Sequence, residues 1–159
     1  MGGLVIVWHS RTGASRQMAE AAAQGAGPEG RLIPAPEVTP PDLLSAGGYL
    51  FVCPENLAAL SGAMKDMFDR SYYPLLGQVE GRAYATAIAA GSDGQGAQAQ
   101  IDRIVTGWRL RRVAEGLIVN MGAQTPEAIL ADKTVSAPEL ARCRDLGEAL
   151  AAGLWMGVF

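Results

Sequence analysis

The chain has 159 residues, 49% hydrophobic and 18% charged, with a net charge of −3; residues 1–159 are read as one domain with a sizeable core, which excludes disorder and the basic footprint of a nucleic-acid binder. Two cysteines (Cys53 and Cys143) and one histidine (His9) exclude a disulfide framework and a zinc cluster, so no metal is expected. No apolar run approaches the ~20 residues of a membrane span, and no basic signal-peptide region precedes Leu4, so a cytoplasmic setting is expected.

In chain order, Leu4-Val-Ile-Val-Trp8 is apolar throughout, the pattern of a strand buried on both faces of a parallel sheet. Residues 14–25, alanine-rich with Met18 inward, predict the first helix, and Arg31–Pro34 a short second strand. Thr39-Pro-Pro-Asp42 reads as a capped helix start with Pro40 at the first helical position and Asp42 at N3. Tyr49–Cys53 is the third strand, and residues 61–71 a helix with Met64, Met67 and Phe68 on one face. Residues 82–90 form the fourth strand, 95–108 a helix, and Val113–Val119 a fifth strand interrupted by Glu115 and Gly116. A short helix at 126–133 precedes the last one, which opens on Ser136-Ala-Pro-Glu139, a capping box. Its core stripe is Leu140, Cys143, Gly147, Leu150 and Leu154.

Five strands alternating with helices predict an α/β fold: a doubly wound five-stranded parallel sheet, order 2-1-3-4-5, with helices on both faces. Ligands in such sheets bind beyond the carboxyl ends of the strands, at the switch in strand order. The loop after the first strand, Ser10-Arg11-Thr12-Gly13-Ala14-Ser15, sets three hydroxyls and a glycine at a helix N-terminus, where outward-pointing amides suit a phosphate. An ordinary N-cap needs only one such hydroxyl, and no Walker loop is present. After the third strand comes Pro54-Glu55-Asn56-Leu57, where Asn56 can bond both the donor and the acceptor edge of a planar heterocycle; a plain turn reads equally well. After the fourth comes Gly91-Ser92-Asp93-Gly94, whose glycines let backbone approach a ligand, while Ser92 or Asp93 can cap the next helix. Gly94-Gln-Gly96-Ala-Gln-Ala99 also fits a relaxed dinucleotide pattern, but it follows the wrong strand.

Together these loops resemble the flavodoxin-like family, including its NAD(P)H-dependent FMN reductase branch, over nearly the whole chain from Val5 to Val119. The resemblance implies that Ser10–Ser15 hold the FMN phosphate and that Pro54–Leu57, with Ser61-Gly-Ala-Met-Lys65 and Phe68-Asp69, border the flavin. Gly91–Gly94 would cover its other side. Electron-carrying flavodoxins sandwich the ring between aromatics and use a glycine peptide near flavin N5. Here neither 54–62 nor 91–99 holds an aromatic, and no glycine precedes Gly62 in the second loop. These departures imply an NAD(P)H-dependent enzyme reducing a quinone or similar small acceptor by two electrons, with a one-electron carrier serving a protein partner as the alternative. Hydride transfer to flavin needs no protein base, so no catalytic residue is assigned; His9 is read as structural and Cys53 as a buried hydrophobe. Tyr72 and Tyr73 either line the site or pack, and Arg109, Arg111 and Arg112 read as a solvated edge. Trp155, Met156, Val158 and Phe159 dock either on the domain itself or on a second subunit, as in a homodimer.

Overall fold

Alternation along the first strand decides the layering. In the computed structural model, which describes residues 2–159, β1 (Leu4–Trp8) sends Leu4 and Ile6 to one face of the sheet and Val5 and Val7 to the other, all of them buried. Both faces are therefore covered, as the continuous apolar run requires. One face receives α1 (Ala14–Ala26), the other α2 (Pro40–Leu44), and β2 (Gly30–Pro34) pairs in parallel along the outer edge of β1. The start of α2 is capped as expected, and by a full capping box, in which the Thr39 amide donates to the Asp42 carboxylate at 2.8 Å.

β3 (Gly48–Asn56) runs parallel to the other edge of β1, and β4 (Ala59–Leu60) folds back on its end as a short antiparallel hairpin. The third strand thus continues through Pro54–Asn56, where a loop was expected. α3 (Gly62–Leu75) buries Met64, Met67 and Phe68 as its spacing predicts. β5 (Ala83–Ala90) is buried at every position, and α4 (Gln95–Gly107) covers the Tyr84/Ile88 face. The fifth strand is split into β6 (Arg111–Arg112) and β7 (Leu117–Asn120), both parallel to β5. Ala83 pairs Arg111 and Ala87 pairs Leu117, so the outer strand carries two residues more than β5 over this stretch. The excess is shed between 113 and 116, where Glu115 and Gly116 interrupt the apolar run.

Counting the split strand once and setting the hairpin aside, the order is 2-1-3-4-5, as expected. The two faces hold different cores. One, beneath α3 and α4, is aromatic: Phe51 lies 5.1 Å from Phe68, and Phe68 5.6 Å from Trp108, ring centre to ring centre. The other meets α1 and α6 (Ala137–Trp155) through small residues, Ala83, Ala85, Ala87 and Ala89 of β5. α1 and α6 touch closely because Gly147 has no side chain; a Cβ there would sit 1.9 Å from the Ala22 carbonyl oxygen. Between them, α5 (Pro126–Leu130) is capped by Thr125, whose hydroxyl accepts from the Ala128 amide at 3.2 Å.

One local expectation fails. Ser136 caps α6 by accepting from the Glu139 amide, but the Glu139 carboxylate turns outward to Arg142 at 2.8 Å, so the reciprocal half of the capping box is missing. An exposed arginine one turn along outcompetes the backbone amide for that carboxylate. At the chain end Phe159 folds back over Gly153, while Trp155, Met156 and Val158 stay exposed. Among the described residues, no helix is long and apolar enough to cross a membrane.

Candidate functional site

The chain reverses its direction of strand addition between β1 and β3, and a cleft of about 340 Å³ opens at their carboxyl ends. From the loop after β1, Ser10, Arg11, Thr12, Ala14 and Ser15 line it; Pro54, Glu55, Asn56, Leu57 and Ala58 come from the hairpin, and Ala89, Ala90, Gly91 and Ser92 from the end of β5. Of the residues expected here, Ser61-Gly-Ala-Met-Lys65, Phe68 and Asp69 do not line the cleft, since Ser61, Met64 and Phe68 are buried and Lys65 pairs with Asp69 at 2.7 Å; nor do Gly13, Asp93 and Gly94. Gly13 is the N-cap of α1, its amide held by the Ser10 hydroxyl oxygen at 3.0 Å. Gly94 is the N-cap of α4, and Asp93 is exposed beside it.

The phosphate-type loop has the donors of an anion site. The first intrahelical bond of α1 runs from Gln17 N–H to the Gly13 carbonyl at 3.1 Å, so the amides of Ala14, Ser15 and Arg16 ahead of it have no carbonyl to receive them. Ser10 Oγ accepts from the Gly13 amide and Thr12 Oγ1 from the Lys133 ammonium, which leaves both hydroxyl protons free to donate. Three buried polar side-chain atoms lack a partner among the described residues: Trp8 Nε1, Ser15 Oγ and Ser71 Oγ. Of these residues only Ser15 lines the cleft, and it is 1% exposed. A buried hydroxyl left without a partner costs about 1–3 kcal/mol. An oxyanion seated on the α1 N-terminus would relieve that cost.

The hairpin is built differently from the loop the sequence implies. Its tip, Leu57-Ala58, has φ of 52° and 63°, a two-residue turn in the left-handed region without a glycine. What holds it is Glu55, whose carboxylate spans the N-terminus of α4, accepting from the Gly94 amide at 2.9 Å and the Ala97 amide at 3.1 Å. The Leu60 amide adds a bond to Gln100 Oε1 at 2.8 Å. Gly96 permits this approach, since a Cβ there would meet the Ala58 carbonyl oxygen at 2.1 Å. Glu55 therefore borders the cleft with its backbone while its carboxylate caps a helix, the role that sequence reasoning gave to Ser92 or Asp93. That same carboxylate fills the anion-binding end of α4, which closes the relaxed dinucleotide pattern at Gly94–Ala99 to a pyrophosphate.

Residues from an unexpected quarter complete the wall. Met121, Ala123, Ile129 and Lys133 line the cleft from the stretch between β7 and α6. The Lys133 amide donates to the Thr12 carbonyl at 2.9 Å, and the Gln17 side-chain amide donates to the Lys133 carbonyl at 2.8 Å. None of the cleft-lining residues is aromatic.

His9 lies beside the site without lining it. Its Nδ1 is 2.8 Å from Ser61 Oγ, and burial, then the nearby Arg11 charge, lowers its pKa below the ordinary 6.5. Burial pushes the Cys53 thiol up to about 12, so no thiolate nucleophile stands at the mouth. Tyr72 stacks on Trp108 with ring centres 6.0 Å apart, and neither it nor the exposed Tyr73 lines the cleft. Arg111 and Arg112 sit on the exposed outer strand, where Arg112 reaches Asp102 at 3.5 Å. No group of three or more metal-ligating side chains gathers among the described residues.

A doubly wound sheet with an anion-accepting helix N-terminus at its switch point defines the class of phosphate- and nucleotide-binding α/β proteins. Comparison with known proteins narrows it. The sequence is 30% identical over 167 aligned positions to a flavodoxin of Aquifex aeolicus, spanning all of this chain and 89% of that protein. The chain belongs to the flavodoxin family. A WrbA-like flavodoxin from Agrobacterium tumefaciens superposes with a TM-score of 0.73 at 21% identity, covering 98% of this chain and 99% of that one. An archaeal flavodoxin superposes at 0.77 with 16% identity over 96% and 99%; both share the fold. No family model matches the sequence. FMN is the family's cofactor, and flavodoxins seat it at this same switch point between β1 and β3. The residues present suit its phosphate, on the evidence of the orphaned Ser15 hydroxyl and the free amides around it.

Proposed function

We propose that this chain binds FMN noncovalently and works as an NAD(P)H-dependent oxidoreductase, reducing a quinone or similar small acceptor by two electrons. The observation that carries the cofactor reading is Ser15, a cleft-lining residue in the first turn of α1 whose buried Oγ has no hydrogen-bond partner. Ser10, Thr12 and Ser15 would donate to the phosphate, and the amides of Ala14, Ser15 and Arg16 would add their partial positive charge. The hairpin residues 54–58 on one side and Gly91–Ser92 on the other would hold the ring system, with Asn56 as its polar contact. When bound, FMN supplies hydride acceptance and electron delivery, so the protein contributes orientation, exclusion of water and a fixed electrostatic setting.

Two features favour the enzyme over a carrier. The cleft has no aromatic wall to enclose both faces of a ring. The hairpin tip is held by the Glu55 cap. No side chain of the cleft is given an acid–base role, because the Glu55 carboxylate is already engaged by α4. The carrier reading, in which a protein reductase and a protein acceptor take the place of NAD(P)H and a quinone, draws on the Aquifex aeolicus relative, a flavodoxin by name.

Anaerobic addition of NADH, and separately NADPH, to the FMN-loaded protein distinguishes the two. The enzyme reading expects one of them to bleach the flavin band directly, in a single isosbestic phase, with a quinone restoring it. Inertness toward both nucleotides, together with stepwise reduction by dithionite through an intermediate spectrum, would establish the carrier.

A further inference from the structure

The stretch between β7 and α6 has no hydrophobic periodicity, yet it is fastened to the loop after β1 and to the start of α1 at several points. Besides the two backbone-carbonyl bonds described above, the Val135 amide donates to Gln17 Oε1 at 3.0 Å, and Lys133 Nζ donates to Thr12 Oγ1 at 3.3 Å. The ammonium also donates to the carbonyls of Ile129, at 2.9 Å, and Ala131. All three of these acceptors are neutral. Lys133 pairs with no carboxylate among the described residues, so a positive charge stands at the cleft wall without a counter-ion. Thr12 and the orphaned Ser15 line the same cleft.

Resting on the FMN reading above, we propose that Lys133 is a specificity-determining residue that selects a phosphomonoester-bearing flavin over an uncharged one. The loop itself offers only neutral donors apart from Arg11. A dianion brought out of water against such donors keeps a large desolvation cost, and a fixed cation offsets it. Arg11 is exposed, and its long side chain loses rotamer freedom on binding while solvent screens its charge. The Lys133 ammonium is already fixed by two carbonyls at the end of α5, so little ordering remains to be done when the phosphate arrives. The position is chemically simple: a point charge with three donors, anchored through two of them and directed by the third at the phosphate loop.

Flavin fluorescence quenching tests this with FMN and riboflavin as paired ligands, on the wild type, K133M and K133R. Riboflavin has the same ring system and ribityl chain but no phosphate, so it reports whether the cleft survives the substitution. K133M is expected to weaken FMN roughly 10- to 100-fold and to flatten the salt dependence of its affinity, with riboflavin changed by less than about twofold. K133R, which keeps the charge, is expected to stay within about tenfold of the wild type for FMN. A proportional loss of both ligands in K133M would overturn the proposal, because Lys133 would then merely fasten the loop. Unchanged FMN affinity in K133M would overturn it as well. A wild type that binds neither flavin would instead sink the cofactor reading on which the proposal stands, a result readily told apart from the other two.

Discussion

Replacing Glu55 tests whether a long-range carboxylate, rather than local turn chemistry, holds the cleft's hairpin. Its two oxygens receive the amides of Gly94 and Ala97 at 2.9 and 3.1 Å, across 39 and 42 positions of sequence. Hydrogen bonds to a charged group contribute about 1.5–3 kcal/mol, and loss of a helix cap costs about 1 kcal/mol. The two figures overlap in what they count, so E55A should cost about 2 kcal/mol of unfolding free energy. For a chain of this size that is a fall of about 4–8 °C in Tm. E55Q keeps an acceptor for one amide and loses the charge, so about half the cost is expected. Urea denaturation followed by circular dichroism, with an unchanged m-value, gives the free energies directly. The loss should also be felt locally, because Leu57 and Ala58 sit in the left-handed region, which costs a non-glycine residue about 1–2 kcal/mol. Without the cap, the Leu60 amide that bonds Gln100 should exchange with solvent faster. An E55A protein within about 0.5 kcal/mol of the wild type would mean that the Glu55 carboxylate does not hold the hairpin.

S15A should separate stability from binding: removing the orphaned hydroxyl should raise the Tm of the flavin-free protein by about 2–4 °C, while FMN affinity drops about tenfold. Calorimetry on the free protein and a flavin titration read the two signs independently, and a Tm that falls contradicts the assignment. L57N/A58G installs the sequence that a left-handed two-residue turn prefers, and should stabilise the protein by about 1 kcal/mol in the same urea assay. His9 gives a pH signature. Its folded pKa is depressed, so the unfolded chain takes up a proton near 6.5 where the folded one does not. Stability should therefore fall as the pH drops below 6.5, level off below the folded pKa, and lose this component in H9Q; identical pH profiles for the two proteins would exclude it.

What the sequence made legible was whatever depends on neighbours in the chain. The apolar runs of β1, β3 and β5 are buried on both faces, and the Met64, Met67, Phe68 stripe of α3 is buried as its spacing requires. The interruption at Glu115 and Gly116 is where the outer strand sheds its extra residues. The loops after the first, third and fourth strands do meet at one cleft. What escaped is carried by contacts distant in sequence. Glu55 looks like a ligand contact until α4 arrives, and only then is its carboxylate seen to be engaged. Lys133 lies in a stretch without periodicity, and nothing near it in the chain announces Thr12, a partner 121 positions away. The clue available was charge: a lysine at the end of the short helix expected over 126–133, in a chain with only one other lysine, Lys65. The half-formed capping box at Ser136 has the opposite origin, a local motif defeated by a competing neighbour, Arg142.

The cleft between the β1 loop and the β3–β4 hairpin is expected to bind FMN through its phosphate. A fluorescence titration of FMN into the purified wild-type protein, run beside S15A, tests it most directly. Saturable quenching with one FMN per chain is expected, with a clearly weaker curve for S15A. Quenching that never saturates, or that is unchanged by removing the Ser15 hydroxyl, would contradict it.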